Sequence, residues 1–527
     1  MRARAIMVLG TSSHVGKSLL TAALCRIFAD QGVRVAPFKS QNMSLNCSAT
    51  KEDLEIGRAQ ALQAEAARTP ASVHMNPILL KPTGDMSSQV VVRGRIWGKL
   101  SASDYHLRRV EDLMPVVRES YEILAAQHDV IILEGAGSPA EINLKEHDIV
   151  NMRMAEMADA SCLLVGDIDR GGVFASLFGT VQLLDTWEQA RIRGFLINKF
   201  RGDIALLEPG VRMMEDRLGK PCLGVVPYMH RLALEEEDSL GLVAATDEMG
   251  PWFSDDLRER PLRIAVIALP SFSNFTDFDA MRHEPSISLR FCHEPAQLAL
   301  ADVIILPGSK QTVDDLLWMR RQRLDTSIIA YAAQKLVVGI CGGMQMLGHT
   351  ITDPHGIEHQ DQAEALGTEA LGLLPFSTRM NLEKVTRETT GHLSLPMLFG
   401  QPVSTVNIKG YEIHIGETIY AVGAQSFAIL SGEQSDGCIS PDTRIFGTYL
   451  HGLFDDDTFR HTFITAARSF HHLAPAACFE NWERKREDSL NRLADTVRQS
   501  LDLPRIFDWV GLTYRPSGHT EITEQSR

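Results

Sequence analysis

Residues 337–348 read VVGICGGMQMLG. An apolar run meets Cys341, and Gly342 and Gly343 follow at once. A buried strand followed by small residues is what a sharp strand-to-helix turn needs. Such a turn lifts a nucleophile to its tip and aims the next N–H at a forming oxyanion. The helix start that follows would favour the thiolate. Working outward, "ILPGSK" places Gly308 at a second strand end, a candidate oxyanion donor beside Gly342, and "GTYLHGLF" supplies His451 as the candidate base. His414, in "GYEIHIGE", is its rival. The other seven cysteines read as inert buried thiols, the usual fate of the residue.

The runs "LRIAVIAL", "DVIILPGSK", "LVVGICGG" and "IFGTYLHGLF" give this half an α/β pattern. The first 230 residues repeat it: "AIMVLG", "VRVAPF", "DVIILEG", "ASCLLVGD" and "IRGFLINK" are strand-like, and "KSLLTAALCRIFADQG" has helical spacing with Leu20, Ala23, Leu24, Ile27 and Phe28 on one side. Apolar strands alternating with helices imply a doubly wound parallel sheet with ligands at the strand C-termini. The expected organisation is a first domain over 1–230, an acidic linker over 231–260, a second domain over 261–458 and a helical extension over 459–527. In that extension Leu490, Leu493, Val497 and Leu501 form a packing stripe.

"GTSSHVGKS", Gly10 to Ser18, lies between the first strand and the first helix, where a phosphate loop belongs. Gly10, Thr11 and Gly16 would cradle a nucleotide, Lys17 would reach its outer phosphates, and Ser18 would ligate Mg2+. Five residues separate Gly10 from Gly16, one more than in the common pattern. Glu134, in "LEGAGS", could hold the Mg2+ directly or through water. Lys39 ends the second strand and could meet phosphate or a carboxylate, and Asn198 in "INKF" could read an adenine edge.

Bulk composition narrows the classes. The 527 residues carry 52 basic and 67 acidic side chains, a formal charge of −15, which argues against a general binder of nucleic acid or membrane surface. Eight scattered cysteines without a CxxC pair signal neither a zinc knuckle nor a redox dithiol and suggest a reducing compartment. No apolar run approaches the roughly 18–20 residues of a spanning helix. "AIMVLG" is shorter than the roughly 7–15 residues of a secretory core. A cytoplasmic enzyme is expected.

The long loop and "EGAGS" resemble the dethiobiotin-synthetase-like branch of P-loop enzymes, in which ATP activates a carboxylate. "PGSK", "GICGGMQMLG" and "YLHGLF" resemble the class I glutamine amidotransferases, whose flavodoxin-like α/β domain uses a thiolate against the glutamine amide. That family's usual pattern has Glu two residues after the His; Leu453 stands here, so the orienting acid is missing, more distant or unnecessary. Asp455 and Asp456 are near but are not assigned the role. The strings "FKSQNMSLN", "EIGRAQALQAEAA", "NPILLKPTGDMSSQVVV", "GDIDRGGVFAS" and "GYEIHIGET" resemble the cobyric acid synthase family over about residues 5–455. That resemblance implies ATP, Mg2+, glutamine and a corrinoid, with amidation of the b, d, e and g carboxylates of (adenosyl)cobyrinic acid a,c-diamide. It also suggests that Asn42, Lys81 and Gln89, on polar loops, grip the corrinoid, and that Arg170 steadies an acyl phosphate or pairs with Asp167 or Asp169. A synthetase acting on the a and c carboxylates, a CTP-synthase-like enzyme and a non-catalytic P-loop switch are the alternatives. The oligomeric state is not legible.

Overall fold

A computed structural model describes all residues except 1–2, 84–86, 102–103, 106–108, 231, 236–251, 253–258, 359–366 and 517–527. Most of the expected linker, part of the loop 81–89 and the end of the C-terminal extension therefore lie outside the described residues.

The first sheet has six strands, all parallel, in the order Cys222–Pro227, Ile192–Phe200, Ser161–Asp167, Arg4–Gly10, Val130–Glu134, Val35–Phe38. The central strands are apolar on both faces because helices cover both, and the order reverses beside Arg4–Gly10. Ligand chemistry is expected at that switch point, at the strand C-termini. The phosphate loop and Glu134 both lie there.

The helix Lys17–Asp30 is buried on nearly every side, beyond the one face its spacing marks. The reason is the end of the chain. Helix Trp482–Ser500 returns to the first half and lays Leu490, Leu493 and Val497 over it, joined by Leu501. Phe28 stacks on Phe507 with centroids 4.1 Å apart. Arg26, 1% exposed, is held by Glu487 at 2.6 Å, Asn491 at 2.9 Å and the Ala66 carbonyl at 2.9 Å.

The second sheet also has six strands: Ile287–Cys292, Leu262–Ile267, Val303–Leu306, Leu336–Ile340, Ile445–Thr448 and Cys438–Ile439, parallel except for the last. A further sheet is built on the antiparallel pair Phe376–Leu393 and Asn407–Tyr420, and the short strand Leu450–His451 pairs with Tyr411 and Glu412. Helix Asp457–Phe470 belongs to this half, burying Phe459, Phe463 and Ile464 in its core. No helix among the described residues is long and apolar enough to cross a membrane.

The halves meet along residues 42–58. Cys47, Ala49, Leu79 and Val91 of the first half form one apolar cluster with Tyr411 and Ile413 of the second. Glu55 is buried between Lys81 of its own half and Lys384 of the other.

Candidate active sites

Cys341 sits between strand Leu336–Ile340 and helix Gly342–Leu347 with φ 52° and ψ −111°, a left-handed conformation unusual for a non-glycine residue. Strain of this kind persists where the surroundings hold it. A Cβ on Gly343 would stand 2.0 Å from the Leu306 carbonyl oxygen, and one on Gly342 would stand 2.9 Å from Ser309 N. The two glycines are thus required by the close approach of the Leu306–Ser309 backbone.

The Cys341 thiol, 6% exposed, donates to the Ile413 carbonyl at 3.6 Å. His451 is buried with its ring stacked on Tyr411. Gly308 backs onto this ring: a Cβ there would lie 3.0 Å from Cε1. His451 Nδ1–H donates to Asp277 Oδ2 at 2.7 Å, and the other Asp277 oxygen accepts Gly452 N–H at 2.8 Å. Among the described residues His451 Nε2 has no close nitrogen or oxygen partner, and the Cys341 thiol is the group that interacts with the ring besides Asp277. Burial alone would lower the His451 pKa, but the negative charge of Asp277 and then of Cys341 raises it to about 10.

Asp277 is the acid that the sequence reading did not find. It comes from the short helical turn Phe275–Phe278, after the first strand of the second sheet. Leu453, where the common pattern has Glu, is instead a core residue at 1% exposure. Asp456 caps helix Asp457–Phe470, and Asp455 lies 3.4 Å from Arg58 of the first half. His414 lines the cavity at Cys341, but it stacks on Tyr449 and lies 3.6 Å from Glu412, and it is His451 that Asp277 holds.

A narrow cavity of about 40 Å3 opens beside the thiol. Its walls include Lys310, Gln345 and Glu358 of the second half, and Lys81 and Gln89 of the first. Lys81 and Gln89 are therefore placed at the domain junction, on neighbouring strands at paired positions rather than on polar loops. Lys81 is committed to Glu55, and Asn42 donates to Gln60 at 3.0 Å. All three of the residues expected to grip a corrinoid are buried, so none offers the open, loop-borne contact that was expected.

At the first sheet, Ser18 Oγ donates to Glu134 Oε1 at 2.8 Å. The same carboxylate accepts Lys39 at 2.9 Å and Gln63 at 2.6 Å. Lys17 reaches across the loop to the carbonyls of Ser12 at 2.9 Å and Gly137 at 3.1 Å. Thr11 N–H is spent on the Val165 carbonyl at 2.9 Å and is no phosphate donor. Asn198 lies beside the loop, where its amide donates to the Val15 carbonyl at 2.8 Å. Arg170 is exposed, while Asp167 pairs with Lys199 and Asp169 with Arg201, both at 2.9 Å.

A hydroxyl and a carboxylate facing each other are suitable oxygen donors for Mg2+, which usually takes one or two protein oxygens with substrate phosphates and water. Among the described residues no cluster of three or more His, Cys, Asp or Glu forms an all-protein cage.

Two family models match the chain. Residues 6–242 match the CobQ/CobB/MinD/ParA nucleotide binding domain, and residues 263–459 match the CobB/CobQ-like glutamine amidotransferase domain. The cobyric acid synthase of Thermoanaerobacter sp. (strain X514) is 46% identical over 512 residues, covering 95% of this chain and 98% of the relative. That of Syntrophobacter fumaroxidans is 45% identical over 523 residues, covering 97% and 99%. Among solved structures, PurLQS from Thermotoga maritima aligns with 40% of this chain and 97% of its own at 16% identity, with a TM-score of 0.30.

Proposed function

The chain belongs to the cobyric acid synthase family, glutamine-using amidotransferase ligases, and from that premise we propose that it amidates the b, d, e and g carboxylates of (adenosyl)cobyrinic acid a,c-diamide in turn. One observation carries the division of labour: the Cys341 thiol, which interacts with the Asp277-backed imidazole of His451, lines a cavity together with Lys81 and Gln89 of the nucleotide-binding half.

In the second half the Cys341 thiolate attacks the side-chain amide carbon of glutamine, with the N–H groups of Gly342 and Gly308 as oxyanion donors. His451, held by Asp277, gives its Nε2 proton to the departing ammonia. Water then cleaves the thioester, releasing glutamate and the thiolate. Asp277 fixes the tautomer and orientation of the ring, the task that the Glu after the His performs in the common pattern.

In the first half the loop Gly10–Ser18 holds ATP, with Lys17 on its outer phosphates. Ser18 and Glu134 would hold Mg2+, which supplies charge neutralisation between the phosphates. A substrate carboxylate takes the γ-phosphoryl group, and Lys39 is placed to balance charge beside Glu134. Ammonia adds to the acyl phosphate and phosphate leaves. Each round consumes one glutamine, one ATP and one water, and yields an amide, glutamate, ADP and phosphate.

The test is incubation with Mg·ATP, glutamine and cobyrinic acid a,c-diamide, followed by mass spectrometry. A ladder of carboxyl-to-amide steps ending at four is expected. An unchanged corrinoid with continued glutamate release would remove the substrate and leave the glutaminase. Cys341→Ala is expected to abolish amidation from glutamine and keep amidation from added ammonia.

A further inference from the structure

We propose that Asn46, in the nucleotide-binding half, is a positioning residue for the glutamine-hydrolysing site of the other half, because its side chain holds the turn that carries Asp277. The inference rests on the reading of Cys341, His451 and Asp277 given above.

Two asparagines lock the halves together reciprocally. Phe275 N–H donates to Asn46 Oδ1 at 3.0 Å, and Cys47 N–H donates to Asn274 Oδ1 at 2.8 Å. Asn46 is 1% exposed and Asn274 3%, so neither bond competes with bulk water. Asn274 has φ 53°, and its carbonyl accepts Asp277 N–H at 3.0 Å. A left-handed residue therefore starts the turn, and its neighbour's N–H is anchored on the opposite half. Two residues further on, Asp277 spends one oxygen on His451 and the other on Gly452.

The adjoining stretch supports the rest of the site. Cys47 and Ala49 pack with Tyr411 and Ile413. Tyr411 stacks on the His451 ring at 5.5 Å, and the Ile413 carbonyl accepts the Cys341 thiol. A shift of residues 46–49 is thereby transmitted to the supports of all three groups. Small misplacements of a general acid or base are costly because proton transfer needs hydrogen-bond geometry. The half that consumes ammonia thus holds the geometry of the half that releases it.

The experiment uses the full chain and reads glutamate release against glutamine concentration. Asn46→Ala is expected to lower kcat about tenfold while KM stays within about twofold, since the turn serves orientation rather than glutamine binding. Asn46→Asp keeps an Oδ1 acceptor for Phe275 N–H and is expected to recover most of that loss. In an Asp277→Asn background, Asn46→Ala is expected to lower kcat no further, because residues acting through one another are non-additive. Should Asn46→Ala fail to fold, judged by its melting curve, Asn46→Ser is read by the same criteria. An unchanged kcat, a loss that Asp does not rescue, or a loss that adds fully to that of Asp277→Asn would overturn the proposal. Glutamate release by Cys341→Ala at the wild-type rate would instead overturn the underlying glutaminase reading.

Discussion

Asp277 decides the charge of His451. Burial pushes the imidazole down, and the Asp277 carboxylate, followed by Cys341, reverses this, raising it to about 10. In Asp277→Asn only Cys341 is left to oppose burial, and the ring is expected to titrate well below the wild-type value, which NMR of the ring carbons would detect. The sign for stability follows. A pKa raised on folding contributes stability that is fully present below the unfolded value and is lost as pH rises through the folded one. The stability gap between wild type and Asp277→Asn, from urea melts, is therefore expected to be widest near pH 6 and to shrink toward about pH 10. A gap independent of pH over that interval would contradict the assignment of the Asp277–His451 charge pair. Cys341 and His451 stood out as candidates because each sits in a local string, "GICGG" and "YLHGLF". Asp277 did not, because it lies 174 residues before the histidine it serves. The usable signal was its place just beyond the C-terminal end of a parallel strand, where ligand and catalytic groups gather.

At the scale of elements, the turn after strand Leu336–Ile340 has no room for a side chain at Gly343. The obstacle is backbone, the Leu306 carbonyl, so it cannot swing aside. Gly343→Ala is expected to cost about 2–4 kcal/mol and to disturb Cys341, checked by denaturant melts alongside glutamate release. The parallel strands themselves were readable, because strands covered on both faces are continuous apolar runs. The paired strands holding Lys81 and Gln89 were not. "KPTGDMSSQ" is rich in turn-forming residues, and only pairing with partners elsewhere makes its two ends strands. The helix Lys17–Asp30 was read with the correct apolar stripe, and its second buried face came from residues more than 450 positions away. Leu493→Ala, at the centre of that contact and fully buried, is expected to cost about 2–5 kcal/mol. Its signature is a lower melting temperature, partly restored by Mg·ATP through binding to the folded first half.

At the scale of the molecule, the junction carries a buried acid between two lysines, one from each half. Burial lowers the Lys384 ammonium to about 8 despite Glu55. For Glu55, burial works toward a higher pKa, but the two ammonium charges hold its carboxyl well below the usual range. Glu55→Gln would leave two buried ammonium groups with no counter-charge between them. It is expected to cost about 3–5 kcal/mol and to loosen the halves, measured as faster hydrogen exchange along residues 46–58 and 411–415. Retained protection there would show that the apolar cluster alone holds the junction. This cluster was not visible in the sequence, where Lys81 reads as a corrinoid contact and Glu55 and Lys384 share no motif with it.

The return of helix Trp482–Ser500 to the first half also bears on biosynthesis. Arg26 and Glu487, which close that contact, are 461 residues apart. A ribosome therefore releases the nucleotide-binding lobe with one flank of its first helix bare, and the gap lasts while the entire amidotransferase lobe is made. Helix Trp482–Ser500 seals it. A message truncated before codon 482 yields a lobe in which Arg26 lacks Glu487 and Asn491 and Phe28 lacks Phe507, a ready target for chaperones and proteases. Quality control of this enzyme is thus written into its chain order, because the nucleotide lobe is finished only after the amidotransferase lobe has been made.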